Sequence, residues 1–375
     1  MLWLLVVCSV VAVSGFDVYE DNHPNALGKS SKFFPFFTVV RISNNPCVGE
    51  NNLNGTCYSR RVCASYDGIA SGSCGGGLGV CCIIQRTCGG TSNLNCTYFI
   101  NPNYPSSYAG GTRCSLTINK CNTNICQVRL DFLEFSLASP DFNGVCATDF
   151  FTVTGGSSIV PRICGENTGQ HIYVDFDEGA VPIQLSVDTT ASVAFGRRWN
   201  IKVMQIPCDS PSRAPVGCLM YYTETTGTVK SFNFGTAANP SPGPFVGVAG
   251  TRELANLNYG VCVRMNPGYC AIEWSADPNN NFSFTVTDNT IPANSQPDFG
   301  QSCTTDFVVI PNPQQNGVSV PYDRFCGSGF ITTTTFSKPF VLTVVTDGGE
   351  LGNGTSPDLG NRGFCLLYRQ IPCPP

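Results

Sequence analysis

Two histidines, His23 and His171, are the only imidazoles in the 375-residue sequence, and they bound its acid–base chemistry. His23 lies near the N-terminus, and His171 opens the alternating run HIYVDF, where a surface or hydrogen-bonded histidine is the ordinary reading. The sequence contains no G-x-S-x-G elbow, no H-E-x-x-H helix and no P-loop. A Ser-His-Asp triad through His171 would assemble in space rather than in sequence, but nothing favours one. Paired carboxylates of the glycosidase kind need no motif, so their separation is invisible at this level. On motif grounds the chain is expected not to be an enzyme.

The acids carry a more regular signal. PDFNGVCATDF (140–150) and PDFGQSCTTDF (297–307) each set two aspartates eight residues apart, Asp141 with Asp149 and Asp298 with Asp306. Carboxylates clustered at loop tips repel one another unless a cation sits between them. The alternative use of such aspartates is to cap turns and end strands.

Thiols dominate the remaining chemistry. There are 22 cysteines, which belong in disulfides outside the reducing cytosol. Leu2 to Val13 is an apolar run of signal-peptide length, with Ser14-Gly15 for cleavage before Phe16, so 1–15 is read as a signal peptide and the product as secreted and extracellular. That run is too short to span a bilayer, and no later one is long enough. Charged residues make up 13 % and net charge is −5, which argues against nucleic acid as a partner. Four N-x-[ST] sequons, at Asn54, Asn95, Asn281 and Asn353, offer glycan sites for a glycoprotein.

Cysteine spacing divides the chain. Residues 16–46 form a leader without cysteine, containing KSSKFFPFFTVVRI. Cys47, Cys57, Cys63, Cys74, Cys81 and Cys82 then crowd into 36 residues, too few to bury a sufficient core without covalent help. Zinc would call for paired C-x2-C spacings and usually histidine, so disulfides are expected, with 15 connectivities open. From Cys88 onward, QVRLDF, DFFTV, IYVDF, IQLSVD and WNIKVMQI alternate apolar with polar residues between Gly, Asn, Pro and Ser clusters. That is the pattern of an all-β, antiparallel β-sandwich.

An internal repeat organises these strands. Besides the two P-D-F segments, PRICG (161–165) answers DRFCG (323–327), LSVD (185–188) answers LTVVTD (342–347), and WNIKVMQIPC (199–208) answers FCLLYRQIPC (364–373). Trp199, Ile201 and Val203 are expected inward on one closing strand, and Phe364, Leu366 and Tyr368 on the other. Cys365 then falls at an outward position, open to a disulfide-linked partner or a small thiol, the alternative being a bridge within repeat two.

The landmarks TCGG (87–90), NPNYP (101–105), Cys114, LDFLEF, C-x-x-D-F-F-T-V (146–153) and ICG (163–165) resemble the CUB domain, a β-sandwich module of secreted proteins. The likeness covers 88–208. The second copy, 212–373, is a divergent CUB domain with SFNFG in place of NPNYP. The block 47–82 resembles the arthropod clip domain, and the whole arrangement resembles arthropod secreted CUB proteins. Clip resemblance implies Cys47–Cys81, Cys57–Cys74 and Cys63–Cys82. CUB resemblance implies Cys88–Cys114, Cys146–Cys164, Cys218–Cys262 and Cys303–Cys326. The repeat itself adds Cys126–Cys208 and Cys270–Cys373, leaving Cys96 to pair with Cys121 and Cys365 unpaired. Resemblance to calcium-binding CUB domains further implies Asp141, Asp149 and Asp188 as ligands in repeat one, and Asp298, Asp306 and Asp347 in repeat two, with Tyr104 bracing the first site. A binding or adaptor module for an extracellular protein or glycan, possible calcium dependence included, is the expectation. A regulator of a protease cascade and a structural matrix or cuticle component are the alternatives.

Overall fold

A computed structural model describes residues 42–374 apart from 142, 180, 191–193, 236–252, 281, 288–295 and 350–360. The signal segment, most of the leader, Asn281 and Asn353 therefore lie outside the described residues.

The chain divides into two compact units, the first ending at Ile84. In that unit β1 (Pro46–Val48), β2 (Asn54–Tyr58), β3 (Ile69–Cys74) and β4 (Gly79–Arg86) surround the short helix α1 (Arg60–Ser65). Ser59 Oγ caps the helix by accepting from Val62 N–H. Strand β4 is flanked by β2 and β3, and Cys57 lies opposite Cys81 in the ladder. Bridges Cys47–Cys81, Cys57–Cys74 and Cys63–Cys82 pass through this small sheet, so covalent links supply what apolar area cannot.

The second unit holds both repeats. Repeat one contributes β5 (Gly90–Ser92), β6 (Thr97–Ile100), β7 (Arg113–Ile118), β8 (Ile125–Ser136), β9 (Phe150–Thr154), β10 (His171–Asp175), β11 (Ile183–Asp188) and β12 (Arg198–Pro207). They form two facing layers, ordered β6-β12-β8-β10 and β5-β7-β11-β9. Repeat two contributes β13 (Cys218–Tyr222), β14 (Thr226–Lys230), β15 (Asn258–Val263), β16 (Tyr269–Ala276), β17 (Phe284–Thr285), β18 (Gln296–Phe299), β19 (Phe307–Val309), β20 (Pro313–Gln315), β21 (Val318–Ser319), β22 (Arg324–Ser328), β23 (Thr333–Thr335), β24 (Phe340–Val345) and β25 (Gly363–Pro372). Its layers run β14-β25-β16-β23-β20-β21 and β13-β15-β24-β19-β22-β18. The first four strands of each layer match repeat one in order, down to the parallel pairs β5/β7 and β13/β15. The divergence is concentrated in the additional strands at the sheet edges.

Alternation sets the core. Trp199, Ile201 and Val203 are buried between the layers of repeat one, and Phe364, Leu366 and Tyr368 at the matching positions of repeat two. A register shift between β12 and β8 at Asn200/Ile201 brings Phe135 inward beside Phe132, with ring centroids 4.7 Å apart. Each sandwich carries three bridges in the same places: Cys88–Cys114, Cys126–Cys208 and Cys146–Cys164, then Cys218–Cys262, Cys270–Cys373 and Cys303–Cys326.

Two thiols depart from expectation. Cys96 is free, so the Cys96–Cys121 bridge does not form. Its ionisation is pushed up by burial, with Lys202 opposing and Asp131 adding, which places the thiol by the Lys202–Asp131 rung of β12 and β8. Cys121 is itself disulfide-bonded, its amide donates to the Gln205 side chain, and residues 202 and 205 project from opposite faces of one strand. Cys365 is also free but only 2 % exposed. It does sit on the outward register of β25, where Asp277 and Ser283 lie over it: its amide donates to Ser283 O and its Sγ lies 4.0 Å from Asp277. An outward-facing thiol available to a partner chain is therefore not what the fold provides.

Candidate functional site: the acidic loops and the seam between the repeats

The signature after β6 is a side-chain-organised turn. Asn101 Oδ1 accepts from Trp199 N–H at 3.0 Å, while its Nδ2 donates to Pro102 O and Ser106 O. Repeat two substitutes a shorter device in register: Ser231 Oγ accepts from Phe364 N–H at 3.0 Å. Asn103 and Asn233 then take the same left-handed conformation, with φ of 61° and 59°. SFNFG thus folds as the counterpart of NPNYP. Tyr104 accepts from Asn200 Nδ2 at 3.3 Å.

The six aspartates expected to hold calcium go separate ways. Asp141 Oδ1 closes its own loop, accepting from the Asn143 and Val145 amides at 2.9 Å. Asp149 is ion-paired with Arg197 at 2.7 Å, and both side chains have 0 % exposure. Asp188 faces Arg113 at 3.5 Å on the neighbouring strand. In repeat two, Asp298 accepts from Phe299 N–H and Ser302 Oγ, and Asp347 from Gly349 N–H. Asp306 accepts from Asp347 N–H at 2.8 Å, and burial pushes its pKa up to about 7. Among the described residues no three acids, cysteines or histidines converge on a point where a metal would sit. The donor set for calcium is present in type but not in arrangement, and in repeat one a guanidinium already neutralises its central carboxylate.

What the loops do make is a seam. Asn233, held left-handed, has its Oδ1 accept from Glu166 N–H at 3.0 Å, and its own N–H donates to Asn167 Oδ1 at 2.8 Å. A Cβ on Gly165 would lie 2.0 Å from Asn233 Oδ1, so the ICG glycine is what lets repeat two approach. Gln170 Nε2 donates to Lys230 O and Ser231 O, and Ala255 N–H donates to Gly144 O. The linker is drawn in as well, through paired hydrogen bonds between Gln127 and Ala214. Tyr173, Ile206, Ala214, Cys218, Tyr221 and Cys262 form one apolar cluster drawn from both repeats and the linker. The free edge of β10 is thereby covered, which removes a hazard of open sheets.

His171 belongs to this seam. Its Nε2 lies 3.0 Å from Tyr221 O and 3.3 Å from Tyr221 N, with Tyr173 and Tyr222 rings packed edge-on. Burial first, then the Arg129 charge, lowers its pKa from 6.5 to about 4. The ring is a neutral structural element at neutral pH. None of the seam was visible beforehand, because every partner pair in it is more than 40 residues apart. Of the sequons within the described residues, Asn54 is exposed, whereas Asn95 Oδ1 is engaged by the Cys96 and Gln205 amides.

Fold and site together define a pair of disulfide-stapled β-sandwiches that meet where the outer strands β10 and β13 come together. Family comparison assigns both: the CUB domain family matches residues 88–194 and the Animal CUB domain family matches 215–371. The chain carries two tandem CUB domains. It is similar to the solved CUB1-EGF-CUB2 domains of rat MASP-1, at 15 % identity over 76 % of this chain and 99 % of that one, TM-score 0.26. The CUB1-EGF-CUB2 domain of human MASP-1/3 matches at 16 % identity over 73 % and 98 %, TM-score 0.24. The full extracellular region of zebrafish Gpr126/Adgrg6 matches at 12 % identity over 76 % and 36 %, TM-score 0.25. No curated protein matches the sequence.

Proposed function

We propose that the chain is a secreted, non-catalytic binding or adaptor protein that presents two CUB domains as one body to an extracellular protein or glycan. The observation that carries this reading is the seam: loops that would otherwise move independently are fixed by hydrogen bonds contributed from both repeats. A preorganised surface loses less entropy on binding, which suits recognition by loops on a rigid scaffold. Placement of His171 against the Tyr221 backbone agrees with a structural role and not a catalytic one. The acids' separate hydrogen bonds support binding that does not depend on calcium.

A second reading is regulation of an extracellular serine protease cascade, favoured by the clip-like pattern of the 47–82 block and its bridges. Affinity capture from extracellular fluid with the glycosylated protein, followed by mass spectrometry, tests both. Enrichment of a defined protein or glycoprotein by wild type, reduced with Gly165→Ala, supports the tandem-body reading. Retention of a clip-bearing protease by the 47–82 block would move the assignment to the second. An eluate matching that of an unrelated β-sandwich contradicts both.

A further inference from the structure

Arg197 is tied down to a degree unusual for a side chain that is commonly solvated. All five of its N–H donors have oxygen partners. Nε donates to Asp149 Oδ2 at 2.7 Å and Nη2 to Asp149 Oδ1 at 3.1 Å, the two-pronged geometry of a strong carboxylate pair. Nη1 donates to Ala109 O at 2.5 Å and Phe195 O at 2.7 Å, and Nη2 donates to Thr190 O at 2.8 Å. Three backbone carbonyls and a bidentate carboxylate, drawn from three separate segments, are the kind of oxygen set that a calcium ion gathers.

We propose that Arg197 is a tethered cation that takes the place of calcium in repeat one, so that the loops of this domain are ordered without a metal. The electrostatics require one positive charge here: Asp149 has no exposure, and a buried carboxylate without a partner would cost several kcal/mol. A second cation beside the guanidinium would meet repulsion from it, and each Asp149 oxygen already accepts two hydrogen bonds. Of the remaining acids, Asp141 is held by its own loop amides, and Asp188 faces Arg113 at 3.5 Å through Oδ1 while its Oδ2 is buried without a hydrogen-bond partner among the described residues. The cavity is shaped for the guanidinium as well. Gly110 has φ +89°, and a Cβ there would lie 2.8 Å from Arg197 Cζ, so a larger residue would displace the side chain.

Repeat two holds the same residue type in the same register and uses it differently. Arg362 precedes Phe364 as Arg197 precedes Trp199, yet its guanidinium stacks 3.6 Å over the Phe282 ring. Among the described residues no basic side chain pairs with Asp306. The substitution of arginine for metal is thus a property of repeat one and not of the arginine position alone.

The test reads two amides that donate to Asp149, those of Ala138 and Thr190, by hydrogen exchange in the full secreted chain. Their protection should be the same in millimolar calcium and in EDTA. Arg197→Ala should lower it on the order of a hundredfold in EDTA, as removal of one partner from a buried pair does. Arg197→Lys, which keeps the charge and loses the fork, should fall between. Wild-type protection that collapses in EDTA overturns the proposal, and so does Arg197→Ala with protection unchanged. Where Arg197→Ala does not fold, the wild-type comparison decides alone.

Discussion

Asp306→Asn should stabilise repeat two at neutral pH and flatten its dependence on pH. The carboxyl is 4 % exposed, and burial lifts its pKa from 3.8 to about 7, with the Asp347 amide opposing and the Asp347 charge adding. A folded-state pKa above the unfolded one means that the fold binds the proton more tightly. The stabilisation from that proton is complete below pH 3.8 and is lost as pH rises through 7. At about 1.4 kcal/mol per tenfold change in proton affinity, the whole displacement is worth about 4 kcal/mol as an order of magnitude. Asparagine keeps an oxygen to accept from Asp347 N–H and carries no charge, so the variant should escape that loss. Guanidinium unfolding at pH values from about 4 to about 8, followed through buried Trp274 in a Trp199→Phe background, reports repeat two specifically. The variant's advantage should grow as pH rises. A difference that stays constant across the range, or a variant less stable at the alkaline end, refutes the reasoning.

Acid should act on the seam in the opposite sense: with its pKa lowered from 6.5 to about 4, His171 supports the fold above pH 6.5 and its contribution is lost as pH falls toward 4. Protection of the Tyr221 amide, taken relative to its intrinsic exchange rate at each pH, should therefore fall on acidification in wild type and not in His171→Asn, and equal pH profiles contradict this. Gly165→Ala should cost about 2–3 kcal/mol, because φ is +76° and the new methyl meets Asn233 Oδ1. Small-angle scattering should show a more extended repeat pair in that variant, and an unchanged radius of gyration counts against the seam. Cys365, buried and with its pKa pushed up by that burial, should resist maleimide in the native protein and react on unfolding. Labelling at the native rate of an exposed thiol would reverse that assignment.

The sandwiches were legible because each rests on local alternation, and the repeat was legible because Cys, Pro and Asp sit at fixed offsets within it. Trp199 and Phe364 could be placed inward from strand periodicity alone. Arg197 could not be assigned to Asp149, since 48 residues separate them and Arg362 stands in the same register with another role. Counting cysteines paired Cys96 with Cys121 by elimination, but elimination carries no information about which face of a strand a side chain occupies. For Cys365 the face was legible and the cover was not, because burial there comes from Asp277 and Ser283 and not from the opposing sheet. The extra edge strands β17, β18, β20 and β21 are only two to four residues long, too short to give a period.

On the proposed function, the tandem CUB pair binds as one body, ordered by its own residues without a metal. The most direct measurement is the affinity of wild type for a captured partner in millimolar calcium and in EDTA, with Gly165→Ala alongside. Wild type should bind with the same affinity in both buffers, and affinity should fall when the seam is opened. Binding that vanishes in EDTA, or that Gly165→Ala leaves untouched, contradicts it.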